Sequence, residues 1–282
     1  MKKILVPTDF SNNALKAITY ASEIGQRSGA AIHLLHVIEP SINMVTMQAD
    51  SSRKTVVAKR GRQLILSQNT ITDIYPKLKV ITHLSGGKPI ASILDYAEKE
   101  KMDLIVMGTT GASGLKEFFM GSVAAGIIGK TKIPVLTVPV SYEIEEPDTI
   151  LLTTNQFEKN KNILNKAVAV SKLFSAAIHV VVFKDKDGDK NADLIYNEEQ
   201  LNHYLQFLKE TFPGVAFKGE VLAGKDFEIA IDRYSNMNEV DMIAMVTYPK
   251  SFFEKVFRKS VTKKMAFHST IPILAIPAIS RN

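Results

Sequence analysis

The stretch Asp103-Leu104-Ile105-Val106-Met107-Gly108-Thr109-Thr110-Gly111 decides the fold. A short apolar run stopped by a glycine-rich loop reads as a buried strand. Beyond the loop, Gly121 and Ser122 open a helix reaching Lys130, and Ile133-Pro134-Val135-Leu136-Thr137-Val138 is a further strand. Before it lie a strand over 78–84 and a helix over 88–101. At the start of the chain, Ile4-Leu5-Val6 is a buried strand bounded by Pro7. Ser11 is placed to cap a helix whose apolar residues (Ala14, Leu15, Ile18, Ala21, Ile24) recur at helical spacing, and Gly29 ends it. Ala31 to Val37 is the next strand, and a polar helical stretch follows over 51–68. Strands alternating with helices predict βαβ units and a mostly parallel sheet covered on both faces.

The same order then begins again. Ile150-Leu151-Leu152-Thr153-Thr154-Asn155 answers Ile4-Leu5-Val6-Pro7-Thr8-Asp9, and Ala176-Ala177-Ile178-His179 answers Ala30-Ala31-Ile32-His33. Later, Asp241-Met242-Ile243-Ala244-Met245 answers Asp103-Leu104-Ile105-Val106-Met107, and Ile271-Pro272-Ile273-Leu274 answers Ile133-Pro134-Val135-Leu136. Four matched blocks in one order predict two copies of one α/β domain, residues 1–142 and 147–282, joined by an acidic linker over 141–147.

Composition narrows the function. The chain is 45% hydrophobic and 23% charged, with apolar material enough for a core, which excludes a disordered protein. No uncharged apolar run reaches the ~18 residues of a membrane span. The opening MKKILVPTDF does not read as a secretory signal, because Pro7 and Asp9 interrupt a short apolar run. Cysteine is absent, which excludes disulfides, zinc thiolates and thiol catalysis and fits a reducing cytoplasm, the expected location. The net charge of +6 is a mild, evenly spread excess. It suits anionic small molecules and argues against nucleic acid, which wants a dense basic stripe.

The main functional signal is Gly108-Thr109-Thr110-Gly111, nine residues, then Gly121-Ser122. In an open parallel sheet, ligands sit at the carboxyl ends of the strands. Gly108 and Gly111 let backbone approach a ligand without a Cβ. Gly121 and Ser122 open a helix, where free N–H groups and the dipole favour an anion. The pattern suits phosphates; a plain βα loop with an ordinary cap is the other reading. Pro7, Thr8 and Asp9 end the first strand at the same rim. Asp9 either meets a sugar hydroxyl or a cation, or shares with Ser11 the capping of the next helix.

Together these residues resemble the universal stress protein family, whose nucleotide-binding members carry G-x2-G-x9-G-[S/T] after the fourth strand. The opening Ile4-Leu5-Val6-Pro7-Thr8-Asp9, the His36-Val37 ending of the second strand and the closing Ile133-Pro134-Val135-Leu136-Thr137-Val138-Pro139 fit as well. The resemblance implies two tandem doubly wound domains, each with a five-stranded parallel sheet of the adenine nucleotide alpha hydrolase-like kind, related by a pseudo-twofold. It implies ATP in the first copy, with ADP or AMP as alternatives and magnesium carried on the phosphates. Val37 and Met107-Gly108 would border adenine. Pro7, Thr8 and Asp9 would lie near adenine and ribose, and Gly111, Gly121, Ser122 and Val123 would hold phosphates and ribose. The family commonly dimerises through its last strand, which implies pairing between the two copies and leaves a homodimer of chains open.

The second copy departs from the pattern. Gly108, Gly111 and Gly121 become Val246, Pro249 and Lys259, while Ser122 keeps its partner Ser260. Asp9 becomes Asn155, Pro7 becomes Thr153 and Val37 becomes Phe183. A branched side chain, a lost donor and a large ring all act against the same ligand, so this copy is not expected to bind ATP as the first does. Arg258 and Lys259 read as solvated charge, with attraction of an anion as the other reading.

Other apparent motifs fail. Gly126-Ile127-Ile128-Gly129-Lys130-Thr131 lacks the first P-loop glycine and ends a helix instead of opening one; Gly129 reads as a C-cap. Asp185-Lys186-Asp187-Gly188-Asp189 lacks the glycine and glutamate of a calcium loop. His33 and His36, three apart on one strand, face opposite sides, and no nucleophile elbow is present. Lys116 is the one cation within the glycine loop and no general base accompanies it, which favours binding over a slow ATPase or a phosphoryl or nucleotidyl transferase. The intact glycines weigh against a scaffold without ligand.

Overall fold

The computed structural model describes residues 1–39, 49–109, 121–154, 157–185, 191–247 and 270–278. The chain separates into two compact units, Met1–Val140 and Ser141–Asn282. The first holds β1 (Lys3–Pro7), α1 (Asn12–Ser28), β2 (Ala31–Ile38), α2 (Ala49–Ile74), β3 (Val80–Gly86), α3 (Pro89–Lys99), β4 (Leu104–Gly108), α4 (Ser122–Ile128) and β5 (Val135–Val138). Its strands lie in the order β3-β2-β1-β4-β5, all parallel. The second holds β6 (Thr149–Thr153), α5 (Lys161–Phe174), β7 (Ala177–Asp185), α6 (Asn191–Thr211), β8 (Phe217–Gly224), α7 (Phe227–Met237), β9 (Met242–Thr247) and β10 (Ile273–Pro277). Its order, β8-β7-β6-β9-β10, repeats the first, again parallel throughout. No helix among the described residues is long and apolar enough to cross a membrane.

Local chemistry explains the elements. Ile4, Leu5 and Val6 of β1 are wholly buried, as a strand covered on both faces requires. α1 starts at Ser11, whose hydroxyl accepts the Ala14 N–H, and stops at Gly29, which takes the left-handed φ of 70° that glycine adopts freely. α2 runs well beyond the polar stretch expected over 51–68. Its apolar residues do not keep to one face: Leu64 and Ile71 are buried while Ile65, Leu66 and Ile74 are exposed. A helix so weakly amphipathic leaves little periodic signal. α4 is shorter than expected, ending at Ile128 with Gly129 as its C-cap in a right-handed conformation.

The repeat is visible in matched fastenings at the amino ends of the strands. Asp103 Oδ2 accepts the N–H groups of Lys2 at 2.6 Å and Lys3 at 3.1 Å. Asp241 Oδ2 accepts those of Asp148 at 2.8 Å and Thr149 at 2.9 Å. Pro134 C=O takes the Ile105 N–H, and Pro272 C=O takes the Ile243 N–H, both at 2.9 Å. The blocks that announce the duplication are therefore the ones that hold each sheet together.

His33 and His36 do face opposite sides. His33 Nδ1 meets the Tyr96 hydroxyl of α3 at 2.9 Å, whereas the His36 ring packs against Phe10, tilted by 41° with centroids 4.6 Å apart. The second unit repeats the first of these pairs, with His179 set edge-on to Tyr234 of α7 at 6.2 Å.

Candidate functional site

The first rim of the site is the turn from β1 into α1. Thr8 N–H donates to Leu35 C=O at 2.8 Å, which carries the β1–β2 ladder past Pro7. Phe10 N–H donates to Thr8 Oγ1 at 3.1 Å. Asp9 Oδ1 accepts the Ser11 N–H at 3.0 Å, a local turn that side chains of this kind favour. Ser11, and not Asp9, is the N-cap of α1. Phe10 stands at φ 66°, a left-handed conformation costly for an aromatic residue.

His36 fixes this turn from β2. Its Nδ1 lies 2.7 Å from Thr8 C=O. A carbonyl only accepts, so the proton sits on Nδ1. Burial, the largest influence, and then the Arg60 charge hold the imidazole below its ordinary pKa, against the Thr8 bond and Asp9 acting the other way. The ring is therefore neutral near pH 7, with Nε2 left as an acceptor.

The second rim is built by β4 and the start of α4. Thr109 N–H donates to Val138 C=O at 3.3 Å, and Gly121 N–H donates to Thr109 C=O. That last bond draws Gly121 and Ser122 back to the end of β4. It also commits the Gly121 N–H to Thr109, where the glycine pattern alone suggests a donor free for an anion. Gly121 is the N-cap of α4 in extended backbone, without a side-chain cap.

Between the rims lies a cavity of 590 Å³ at the carboxyl ends of β1, β2 and β4, within the roughly 300–1,000 Å³ of small-molecule sites. Pro7, Thr8 and Asp9 line it from β1, and Val37 from β2. Met107 and Gly108 line it from β4, and Gly121, Ser122 and Val123 from α4. The structure thus brings together nine sequence-predicted residues. Gly111, the tenth, lies outside the described residues, as does Lys116.

Gly108 has a different reason for its small size than close approach of a ligand. A Cβ there would meet the Asn13 Cβ and carbonyl oxygen of α1, each at 2.9 Å. The first turn of α1 occupies that space. In the second unit the residue in this place is Val246, buried in β9, and α5 begins at Lys161, three residues later than the repeat of Asn12 would require.

Several lining residues carry no mark in the sequence. Arg60 and Val56 come from α2, Pro89 and Ile93 from α3, and Glu39 from just beyond the end of β2. Arg60 is the important one, because it adds a cation from outside the glycine loop. No motif marks it; it sits in a polar helix whose placement over the rim only the fold reveals. Among the described residues no cluster of three or more His, Cys, Asp or Glu could hold a metal ion.

The second unit differs at the matching place. Phe183 and Phe227 stand where Val37 and Pro89 line the first cavity, and their rings meet edge-on at 5.5 Å. Leu222 and Phe227 pack on the core around Leu151, Ile231 and Ile243. Asn155, Pro249, Arg258, Lys259 and Ser260 lie outside the described residues, as does the Asp187-Gly188-Asp189 segment.

Comparison with known proteins agrees with this architecture. The chain is 34% identical over 140 residues to Universal stress protein MJ0531 of Methanocaldococcus jannaschii, covering 49% of this chain and 81% of that one. It is 29% identical over 154 residues to Universal stress protein MJ0577 of the same organism, covering 49% of this chain and 94% of that one. The crystal structure of a universal stress protein from Archaeoglobus fulgidus superposes with a TM-score of 0.70 over 98% of this chain and 96% of its own, at 20% identity, a likeness of fold. The Universal stress protein family model matches twice, at residues 1–139 and 147–277. With both copies matched and the strand order repeated, the chain belongs to the universal stress protein family.

Proposed function

We propose that the first unit binds an adenine nucleotide, ATP before ADP or AMP, and that the bound nucleotide regulates contacts with a protein partner in a cytoplasmic stress response. The observation that carries this reading is the convergence of Pro7, Thr8, Asp9, Val37, Met107, Gly108, Gly121, Ser122 and Val123 on one cavity. Val37 and Met107 offer an apolar bed for a base beside Asp9 for a ribose. The first-turn N–H groups of α4 beyond Gly121 lack intrahelical partners, as at any helix start, and are proposed to meet phosphate. Magnesium is proposed to enter on the phosphates, since the described lining offers it only the Asp9 and Glu39 carboxylates. Micromolar binding corresponds to about −8 kcal/mol, within reach of such contacts.

Binding is proposed in preference to turnover. Phosphoryl transfer wants a positioned base and several cationic clamps, and Arg60 is the single cation among the described lining residues. The second unit is proposed not to take the same ligand, because the Phe183–Phe227 pair stands where the first cavity is lined by smaller residues.

Calorimetric titration with ATP and magnesium tests the reading, together with mass spectrometry of small molecules that co-purify. Gly121→Lys, which copies the second unit's residue, is expected to abolish ATP binding while the far-ultraviolet circular dichroism stays unchanged. Unaltered affinity would refute the site. Phosphate release followed over hours separates a binding protein from a slow ATPase.

A further inference from the structure

Arg60 lies on α2 and belongs to no motif of the chain. It is half-buried and lines the cavity. Two neighbours hold it. Its Nη1 donates to Gln63 Oε1 at 2.9 Å, one turn along the helix. Its guanidinium lies over the Phe10 ring, 5.5 Å from the centroid. Phe10 in turn packs against His36, with ring centroids 4.6 Å apart and planes tilted by 41°, and His36 is pinned to Thr8 C=O at 2.7 Å. The result is a shelf in which Phe10 lies between His36 and Arg60. Phe10 reaches it only by holding a backbone φ of 66°. Strain of this kind persists where the surroundings over-determine it, and gathers at functional sites.

The shelf decides what Arg60 can do. With its guanidinium carbon over the Phe10 ring, Arg60 has less room to stack on a base. Its in-plane N–H groups remain, and one nitrogen already serves Gln63. That edge is a planar fork suited to two oxygens of one anion. We propose that Arg60 is a specificity-determining residue that grips a phosphate of the bound nucleotide, so that the cavity selects phosphorylated ligands over the nucleoside. This rests on the nucleotide reading above and adds to it the group that senses phosphate charge.

The test is calorimetric titration of the full chain and of Arg60→Gln with ATP, adenosine and inorganic tripolyphosphate. Arg60→Gln is expected to weaken ATP roughly 10- to 100-fold, as loss of a charge-assisted fork should. Adenosine should stay within about twofold and tripolyphosphate binding should vanish. Arg60→Lys keeps the charge without the fork and should recover part of the ATP affinity. Equal losses for ATP and adenosine would overturn the proposal in favour of contact with the base, and an unchanged ATP affinity would overturn it outright. Tripolyphosphate binding that needs Arg60, in a protein that takes neither ATP nor adenosine, would uphold the phosphate grip and overturn the nucleotide reading. If none of the three binds the unaltered chain, both fall.

Discussion

A single absent methyl group shapes the rim of the first unit. At position 108 any Cβ would strike α1 backbone at Asn13, which cannot swing aside as a side-chain tip can. Gly108→Ala is therefore expected to lower unfolding free energy by about 1–3 kcal/mol, the range for overpacking, and urea denaturation would measure it. His179 offers a contrasting test. It is buried in β7, its Nδ1 has no hydrogen-bond partner among the described residues, and burial followed by the Lys218 charge pulls its pKa down to about 4. The unfolded chain, with an imidazole near 6.5, takes the proton first. The stability tied to neutral His179 is thus complete above about pH 6.5 and drains away as the pH falls toward about 4. His33 and His36, also lowered chiefly by burial, share that acid side. Thermal unfolding from pH 7 to pH 4 should show a falling midpoint, and His179→Gln should flatten the slope. An identical slope in the variant would exclude this role.

At the scale of elements, the carboxylate fastenings of Asp103 and Asp241 make paired predictions. Each accepts two backbone N–H groups from the strand beside its own. Asp103→Ala and Asp241→Ala should each destabilise by roughly 0.5–1.5 kcal/mol, because donors at or near the surface lose a charged acceptor but can turn to water. Separate urea titrations would check that the losses match. These elements are legible in the residues themselves, because β1, β4 and their repeats are short apolar runs with sharp stops, and Ser11 and Gly29 bracket α1 with side-chain and backbone chemistry of their own. α2 is legible only in outline. Its buried Leu64 and Ile71 are separated by exposed apolar residues, so no stripe betrays its length or the face that overlooks the cavity. Arg60 is invisible for the same reason, being brought to Phe10 by tertiary packing alone. Gly108 stands out in the glycine pattern, but its obligation to Asn13 is hidden, since a clash between distant segments leaves no local trace.

For the whole chain, a duplicated architecture with the Phe183–Phe227 ring pair in its second unit predicts unequal halves. Calorimetry should return one nucleotide per 282-residue chain, and a stoichiometry of two would exclude the idea that Phe183 and Phe227 obstruct the second unit. Phe183→Val alone is not expected to restore a second site, because Phe227 and Val246 remain. The paired fastenings carry a further implication. Lys2 and Lys3 are held by Asp103, and Asp148 and Thr149 by Asp241, so no such tie bridges residues 141–147. Severing the backbone there leaves every one of these bonds within a single fragment. Residues 1–140 and 141–282, produced separately, are each expected to show a cooperative urea transition of their own.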